Sequence, residues 1–272
     1  MKISKNVLRF ACLVMLAFLL MGMFPITSHY MQRKLLKAIE TGDYEKVESL
    51  LPYVFDFEGL PYFSILCALS QNYFRTPLQL ACEIGDFEMV KALIEEGADV
   101  NGVNKHAPFT PLMLAVTSLS EENLEIADYL IQKGAIVSYR KKSYDADALY
   151  QLMNSREKVP NVSALIDLLV ENGGDISYYH ESEGTLLNMA SYRGNEEIIE
   201  HLLMNYSIDP SVGVDGKTAL IDYCRNPQNN SINIVKLFLE KGVKNAKDDF
   251  GKTAYDYAVD NGNMEIAELL NE

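Results

Sequence analysis

Between residues 76 and 101 the apolar positions fall three and four apart, in two short bursts. Leu78 and Ala81 make the first, Val90, Leu93 and Ile94 the second, with polar residues between them. That is the spacing of two helices with one buried stripe each. Gly85 follows the first burst, and Gly97-Ala98-Asp99-Val100-Asn101 follows the second. The pattern predicts a helix, a tight reversal, a second helix and a turn.

The unit recurs. Thr76-Pro77-Leu78-Gln79-Leu80-Ala81 returns 34 residues later as Thr110-Pro111-Leu112-Met113-Leu114-Ala115. Thr185-Leu186-Leu187-Asn188-Met189-Ala190 is a third copy, and Thr218-Ala219-Leu220 begins a fourth 33 residues after it. Thr253-Ala254-Tyr255-Asp256-Tyr257-Ala258 is a fifth. Second bursts follow, as at Ile126, Leu130 and Ile131 before Gly134-Ala135. Each position has a reason. Thr caps the first helix, and Pro suits a first turn whose N–H has no partner. Ala81, Ala115, Ala190 and Ala258 keep two helices close. Gly85, Gly194 and Gly262 end the first helix in a left-handed conformation.

Weaker copies flank and interrupt the array. Leu35, Ala38, Gly42, Val47, Leu50 and Leu51 repeat the helix-pair spacing over 31–52 without the Thr-Pro start, which predicts a capping repeat. Residues 147–176 form a degenerate copy, with Ala148-Leu149 at its start, Leu168 and Leu169 in its second helix, and Arg156 to Pro160 lengthening its inter-helix loop. Asn263, Glu265, Glu268, Asn271 and Glu272 predict a polar C-terminal cap. Residues 53–70 lie outside the pattern and are apolar and aromatic. Two readings stay open for them: a lid over the core, or an element that contacts a partner.

The array resembles the ankyrin repeat family. The period, the Thr-Pro-Leu-x-x-Ala start and the Gly-Ala-Asp-Val-Asn end carry the resemblance, which covers about 31–272. It implies an all-α repeat fold, an ankyrin solenoid of about seven helix-turn-helix units with β-turn-like fingers. Beyond the 31–52 cap, the repeats start near 74, 108, 145, 183, 216 and 251. It implies protein binding, without catalysis, through a concave face of fingers and first helices. The two positions before the helix end point into that groove: Glu83 and Ile84, Thr117 and Ser118, Tyr192 and Arg193, Arg225 and Asn226, Asp260 and Asn261. The fingers add His106, Phe109, Tyr144, Tyr178, Tyr179, His180 and Phe250. Tyr and Arg at the middle of the array are types enriched among interface anchors.

The N-terminal 28 residues read differently. Lys2, Lys5 and Arg9 precede an apolar run from Phe10 to Phe24, then Pro25-Ile26-Thr27-Ser28. Basic start, apolar core and small residue at a cut are the parts of a secretory signal. The run is 15 residues, short of the roughly 20 that span a bilayer. The segment is expected to be a signal peptide or an uncleaved N-terminal membrane anchor. Either puts residues 29–272 across the membrane, in the periplasm or anchored facing it, or secreted.

Acidic residues outnumber basic ones 38 to 24, for a net charge of -14. Losing the three N-terminal cations leaves 21 against 38, a net charge of −17. This repels nucleic acid and suits a basic protein partner. The chain is expected to be a monomer that meets a membrane only through residues 1–28, if they are retained. No chemistry-bearing motif appears: no HExxH, GxSxG, Walker loop or GxGxxG. His29, His106, His180 and His201 are not at metal spacing, so neither cofactor nor metal is expected. Glu95, Glu96, Glu196, Glu197 and Glu240 fall on helix-exposed positions, as most carboxylates are expected to. Cys82 and Cys224 occupy the same buried site in their repeats, and a pairing of Cys67 with Cys82 stays open.

The function expected is a non-catalytic interaction module of a bacterial envelope, with an immunity or inhibitor protein against a toxin or enzyme as the sharper form. A membrane-anchored assembly scaffold and a secreted host-directed effector are the alternatives. Export is testable first. Leu16→Arg with Leu19→Arg places two charges in the apolar run, each opposing insertion by about 3 kcal/mol. Fractionation should then find the protein in the cytoplasm; unchanged delivery to the periplasm would show that these residues are not the signal.

Overall fold

The Thr at the head of each repeat acts by closing a helix onto itself. In the computed structural model, which describes residues 34, 37–38, 41–43, 45–46, 75–103, 109–140, 146–244 and 246–271, Thr76 Oγ1 accepts from the Gln79 N–H at 3.1 Å. The Gln79 side chain accepts from the Thr76 N–H at 2.7 Å in return. Thr185 with Asn188 and Thr253 with Asp256 make the same reciprocal box. Two orphan N–H groups are thereby satisfied at once, where loss of a Thr cap alone costs about 1 kcal/mol.

The chain divides into two compact units, Met1–Pro111 and Leu112–Glu272. In the first, α1 (Pro77–Ile84) and α2 (Phe87–Glu95) pack as an antiparallel pair. Gly85 turns the chain at φ 79°, and Asp86 caps α2 by accepting from the Met89 N–H. Ala81, Cys82, Met89, Val90 and Leu93 are fully buried. Buried Gln79 also donates to the Phe109 carbonyl at 2.6 Å, tying α1 to the finger that follows. Of the capping repeat, Ala38 is buried and Gly42 has φ 63°.

The second unit stacks further pairs: α3 (Pro111–Ala115) with α4 (Asn123–Gln132), α5 (Ala148–Met153) with α6 (Val162–Glu171), and α7 (Leu186–Arg193) with α8 (Glu196–Asn205). Then come α9 (Ala219–Arg225) with α10 (Ile232–Glu240), and α11 (Ala254–Asp260) with α12 (Met264–Leu270). First helices pack on first helices, α5 on α7 on α9 on α11. Second helices do likewise from α4 to α12, so the core lies between two layers. Ala115, Ala190 and Ala258 are buried at the close contacts. Leu130, Leu165, Leu202 and Phe238 fill the second layer. In most apolar pairs one residue is buried and its neighbour half-buried, as for Leu169 and Leu168, because adjacent helix positions lie about 100° apart; Leu202 and Leu203 are both buried.

The degenerate copy folds as a full helix pair, with an Asp in place of the Thr. Asp147, 1% exposed, accepts from the Tyr150 N–H at 2.9 Å and from the Arg140 guanidinium. The finger between α6 and α7 forms a two-stranded hairpin, β1 (Tyr179–His180) against β2 (Gly184–Thr185). Asn side chains tie neighbouring pairs through backbone carbonyls. Asn229 donates to Ser191 O and Tyr223 O, Asn226 to Tyr192 O, and Asn261 to Cys224 O.

Three carboxylates are exceptions to the solvated majority expected. Asp147, Asp222 and Asp248 are buried. Each is held by hydrogen bonds that offset its lost hydration. Cys82 and Cys224 are buried as expected, and burial pushes the Cys224 thiol up to about 12. Residues 1–28, His29, Cys67, the 53–70 insertion, His106 and Tyr144 lie outside the described residues. Among the described residues no helix is long and apolar enough to cross a membrane.

The pairing of α1 and α2 predicts a sharp contrast in mutational cost. Leu93 is 0% exposed and Glu95 is exposed two positions on. Leu93→Ala should lose ~2–5 kcal/mol by opening a cavity, while Glu95→Ala stays within ~0.5 kcal/mol. Equal urea midpoints for the two variants would refute the assignment.

A candidate partner-binding groove

The ends of the first helices and the fingers of the second unit include a cavity around α7. The C-terminal turn of α7 carries Tyr192 and Arg193, because Gly194 ends the helix at φ 74°. No side chain fits at 194, since a Cβ there would stand 1.9 Å from the Asn229 Oδ1. The helix end is thus fixed in place by its neighbour's amide.

Beside Tyr192 is a cavity of about 260 Å³, lined by residues from three successive repeats. On one wall Arg193 donates from Nε and Nη2 to Asn154 Oδ1, at 2.8 and 2.6 Å. On the other, Arg225 Nη1 donates to Asp222 Oδ1 at 2.7 Å. Asn188 donates to Asp222 Oδ2 at 2.9 Å, so both oxygens of that buried carboxylate are engaged. The Tyr192 ring lies near both guanidiniums, its centroid 5.8 Å from Arg193 and 5.4 Å from Arg225. Lys217 completes the lining and pairs with Asp215 at 2.8 Å. Burial raises the Asp222 pKa above the ordinary carboxylate value, and the Asn188 bond and the Arg225 and Lys217 charges pull it only part of the way back.

Of the residues named from sequence, Tyr192, Arg193 and Arg225 therefore meet at one cavity. Tyr192, Tyr179 and Phe250 are 43%, 46% and 75% exposed. The Tyr179 hydroxyl donates to Gly213 O at 3.4 Å, and Lys217 lies 5.8 Å over the Phe250 ring. His180 of the hairpin packs tilted against Tyr150 of α5, with ring centroids 5.6 Å apart, and edge-on to Tyr178. Asp260 is exposed in an ion pair with Lys252. Asn226 and Asn261 spend their amides on backbone carbonyls of the preceding repeat. In the first unit Ile84 is exposed, Glu83 takes a two-point ion pair from Arg75, and Arg75 lies 5.2 Å over the Phe109 ring.

Two of the named residues are buried. Ser118 is 4% exposed, because α3 stops at Ala115 and the chain turns inward past it. Thr117 also lies beyond that helix and returns its hydroxyl to Met113 O. Tyr178 is 9% exposed beneath the Arg140 guanidinium, 3.5 Å from its ring centroid. Sequence reasoning missed Asn154, Asn188, Lys217 and Asp222. The available signal is the period: Asn188 and Asp222 are 34 residues apart, which sets them side by side on adjacent repeats. Among the described residues no group of three His, Cys, Asp or Glu side chains is placed to hold a metal ion.

A sequence model described as ankyrin repeats, in three copies, matches residues 35–141, 152–245 and 187–272. The structure is similar to the crystal structure of the human ASB11 ankyrin repeat domain, with TM-score 0.66 and 22% identity, over 88% of this chain and 97% of that one. At that identity the likeness is one of fold. As many as 434 solved chains match, so the fold by itself selects no partner. No curated protein sequence matches.

The environment of Asp222 sets the sign of a pH effect. Its folded pKa is raised above 3.8, so the folded protein keeps a proton that the unfolded chain has already lost. The associated stability is present at low pH and is lost as pH rises through the folded pKa. As pH rises from 3.8 through the raised folded pKa, wild type should therefore lose urea resistance relative to Asp222→Asn. A difference that is flat or grows with pH would contradict the buried, proton-retaining carboxylate.

Proposed function

The chain belongs to the ankyrin repeat family, and from that premise we propose that it binds a protein partner through the face centred on Tyr192, Arg193 and Arg225. Ankyrin repeats are generic protein–protein interaction modules, and the fold is typically a non-catalytic scaffold. The observation that carries the assignment is the Tyr192 ring, 43% exposed and near two guanidiniums at the edge of a cavity. Tyr and Arg at the centre of an interface supply large area with few rotors and bonds in several directions. Both side chains are held before any partner arrives, which reduces the entropy lost on binding.

The wider role is proposed from the sequence. A basic start followed by an apolar run supports export, so the module acts in the envelope or beyond it. In that setting it masks a toxin or enzyme as an immunity or inhibitor protein. The net charge of -14 favours a partner that is basic overall and speeds its approach. If residues 1–28 are retained, the same face serves a membrane-anchored scaffold; a secreted, host-directed role uses it equally.

Affinity capture from envelope extract tests the assignment. Tyr192→Ala with Arg193→Ala touches no core position and should keep the helical circular dichroism. It should weaken capture by at least ~30-fold, the equivalent of about 2 kcal/mol. Glu197→Ala with Glu200→Ala, on exposed positions of α8, is the control and should change little. Loss of capture in the control alone would move the binding surface to the second helices.

A further inference from the structure

We propose that the cavity beside Tyr192 is a carboxylate-binding site, and that its occupant is one Asp or Glu side chain of the partner polypeptide. This rests on the groove assignment above and adds the chemistry at its centre.

The charge distribution runs against the rest of the chain. Overall there are 38 acidic residues to 24 basic. Around this cavity three cations, Arg193, Lys217 and Arg225, face two carboxylates, Glu183 and Asp222. Arg225 and Lys217 each have a carboxylate partner, Asp222 and Asp215. Among the described residues Arg193 has none; its two bonds go to the neutral Asn154 oxygen. Asn154 thus fixes the guanidinium without neutralising it. An arginine held by a neutral acceptor at the wall of a cavity keeps its charge for an incoming anion.

The surroundings narrow the anion. Asp222 has both oxygens engaged, and Glu183 accepts from the Tyr150 hydroxyl at 2.7 Å. Both keep acidic oxygens beside whatever enters. A single carboxylate suits the planar fork of an arginine whose bonds go to a neutral oxygen. A phosphate carries more charge into the same two carboxylates and is disfavoured. The Tyr192 ring against both guanidiniums replaces water on one side, which strengthens a charged hydrogen bond made there.

The rim indicates a polypeptide rather than a small acid. Lys217 connects the cavity to Phe250, and Tyr179 reaches Gly213 on the next finger. Phe250, Tyr179 and Val212 are exposed on three successive fingers. That apolar area lies outside the cavity, where a free carboxylic acid cannot cover it and a chain passing over the fingers can. A partner that is basic overall is compatible with this: the long-range field guides it in, and one acidic side chain sets its register on the groove.

The test is a titration of the full chain, read by NMR at the arginine Nε–H signals and carried to about 0.1 M at constant ionic strength, where a millimolar site saturates. The probes are N-acetyl-aspartate methylamide, its asparagine counterpart and inorganic phosphate. The aspartate probe should shift the Arg193 and Arg225 signals saturably and bind at least about ten-fold tighter than the asparagine probe. Phosphate should bind no tighter. Arg193→Gln, which keeps a donor for Asn154, should abolish the aspartate response while Arg193→Lys retains part of it. If Arg193→Gln does not fold, the aspartate–asparagine comparison on wild type decides. No saturable shift, equal response to the two amino-acid probes, or tighter phosphate binding overturns the proposal. If aspartate fails while Tyr192→Ala with Arg193→Ala still loses capture, the groove stands and the carboxylate assignment falls.

Discussion

No helix pair in this protein can bury its apolar surface by itself. The first helices of the second unit are five to eight residues long, well below the ~12–15 that hold a helix together in water. They persist because α7 packs on both α5 and α9, and α9 on both α7 and α11. Such short helices also leave most of their terminal N–H and C=O groups without an internal partner. Reciprocal Thr boxes close the N-termini of α7 and α11, single Thr or Asp caps those of α9 and α5, and Asn amides from the next repeat close the C-termini of α7 and α9. Stacking and polar closure come from the same neighbour, so each repeat is stable only in its place in the row.

That dependence also builds the groove. Residues one period apart are brought side by side, so a bond such as Asn188 to Asp222 needs only an equivalent position on the next repeat. Arg193 reaches back to Asn154, and Asn226 reaches back to the Tyr192 carbonyl. The last two positions of α7 and the last of α9 lie past the buried packing positions and are not core residues. These side chains are free to differ, and here all three gather around one cavity. The array supplies a rigid frame, and the variable positions on it supply recognition.

The fold was legible because it repeats. Period, Thr cap, small Ala and stopping Gly say the same thing several times, and local consistency of that kind is what makes a sequence readable. The degenerate copy was harder, since Asp147 does the work of Thr and is recognisable only once Arg140 is seen against it. Counting positions back from the helix end picked Tyr192, Arg193 and Arg225, which line one cavity. It misplaced Ser118, because α3 is three residues shorter than α7 and has no Gly to fix where it ends. Tyr178 was placed in a finger but is buried by a guanidinium stacked on it. The buried Asp222 was masked, because an acidic residue three positions before an Arg reads as an exposed helix pair; only the 34-residue spacing to Asn188 could have pointed to it.

The central claim is that a partner sits on the face carrying Tyr192 rather than on the outer helices. Site-specific photo-crosslinking reads this without removing any contact by mutation to alanine. A benzophenone amino acid at position 192 replaces one exposed aromatic by another, and the same residue at position 200 places the probe on α8. Irradiated in the cells that make the protein, position 192 should yield a covalent adduct with one discrete polypeptide, and position 200 should yield none. An adduct from position 200 with none from 192 would contradict the account.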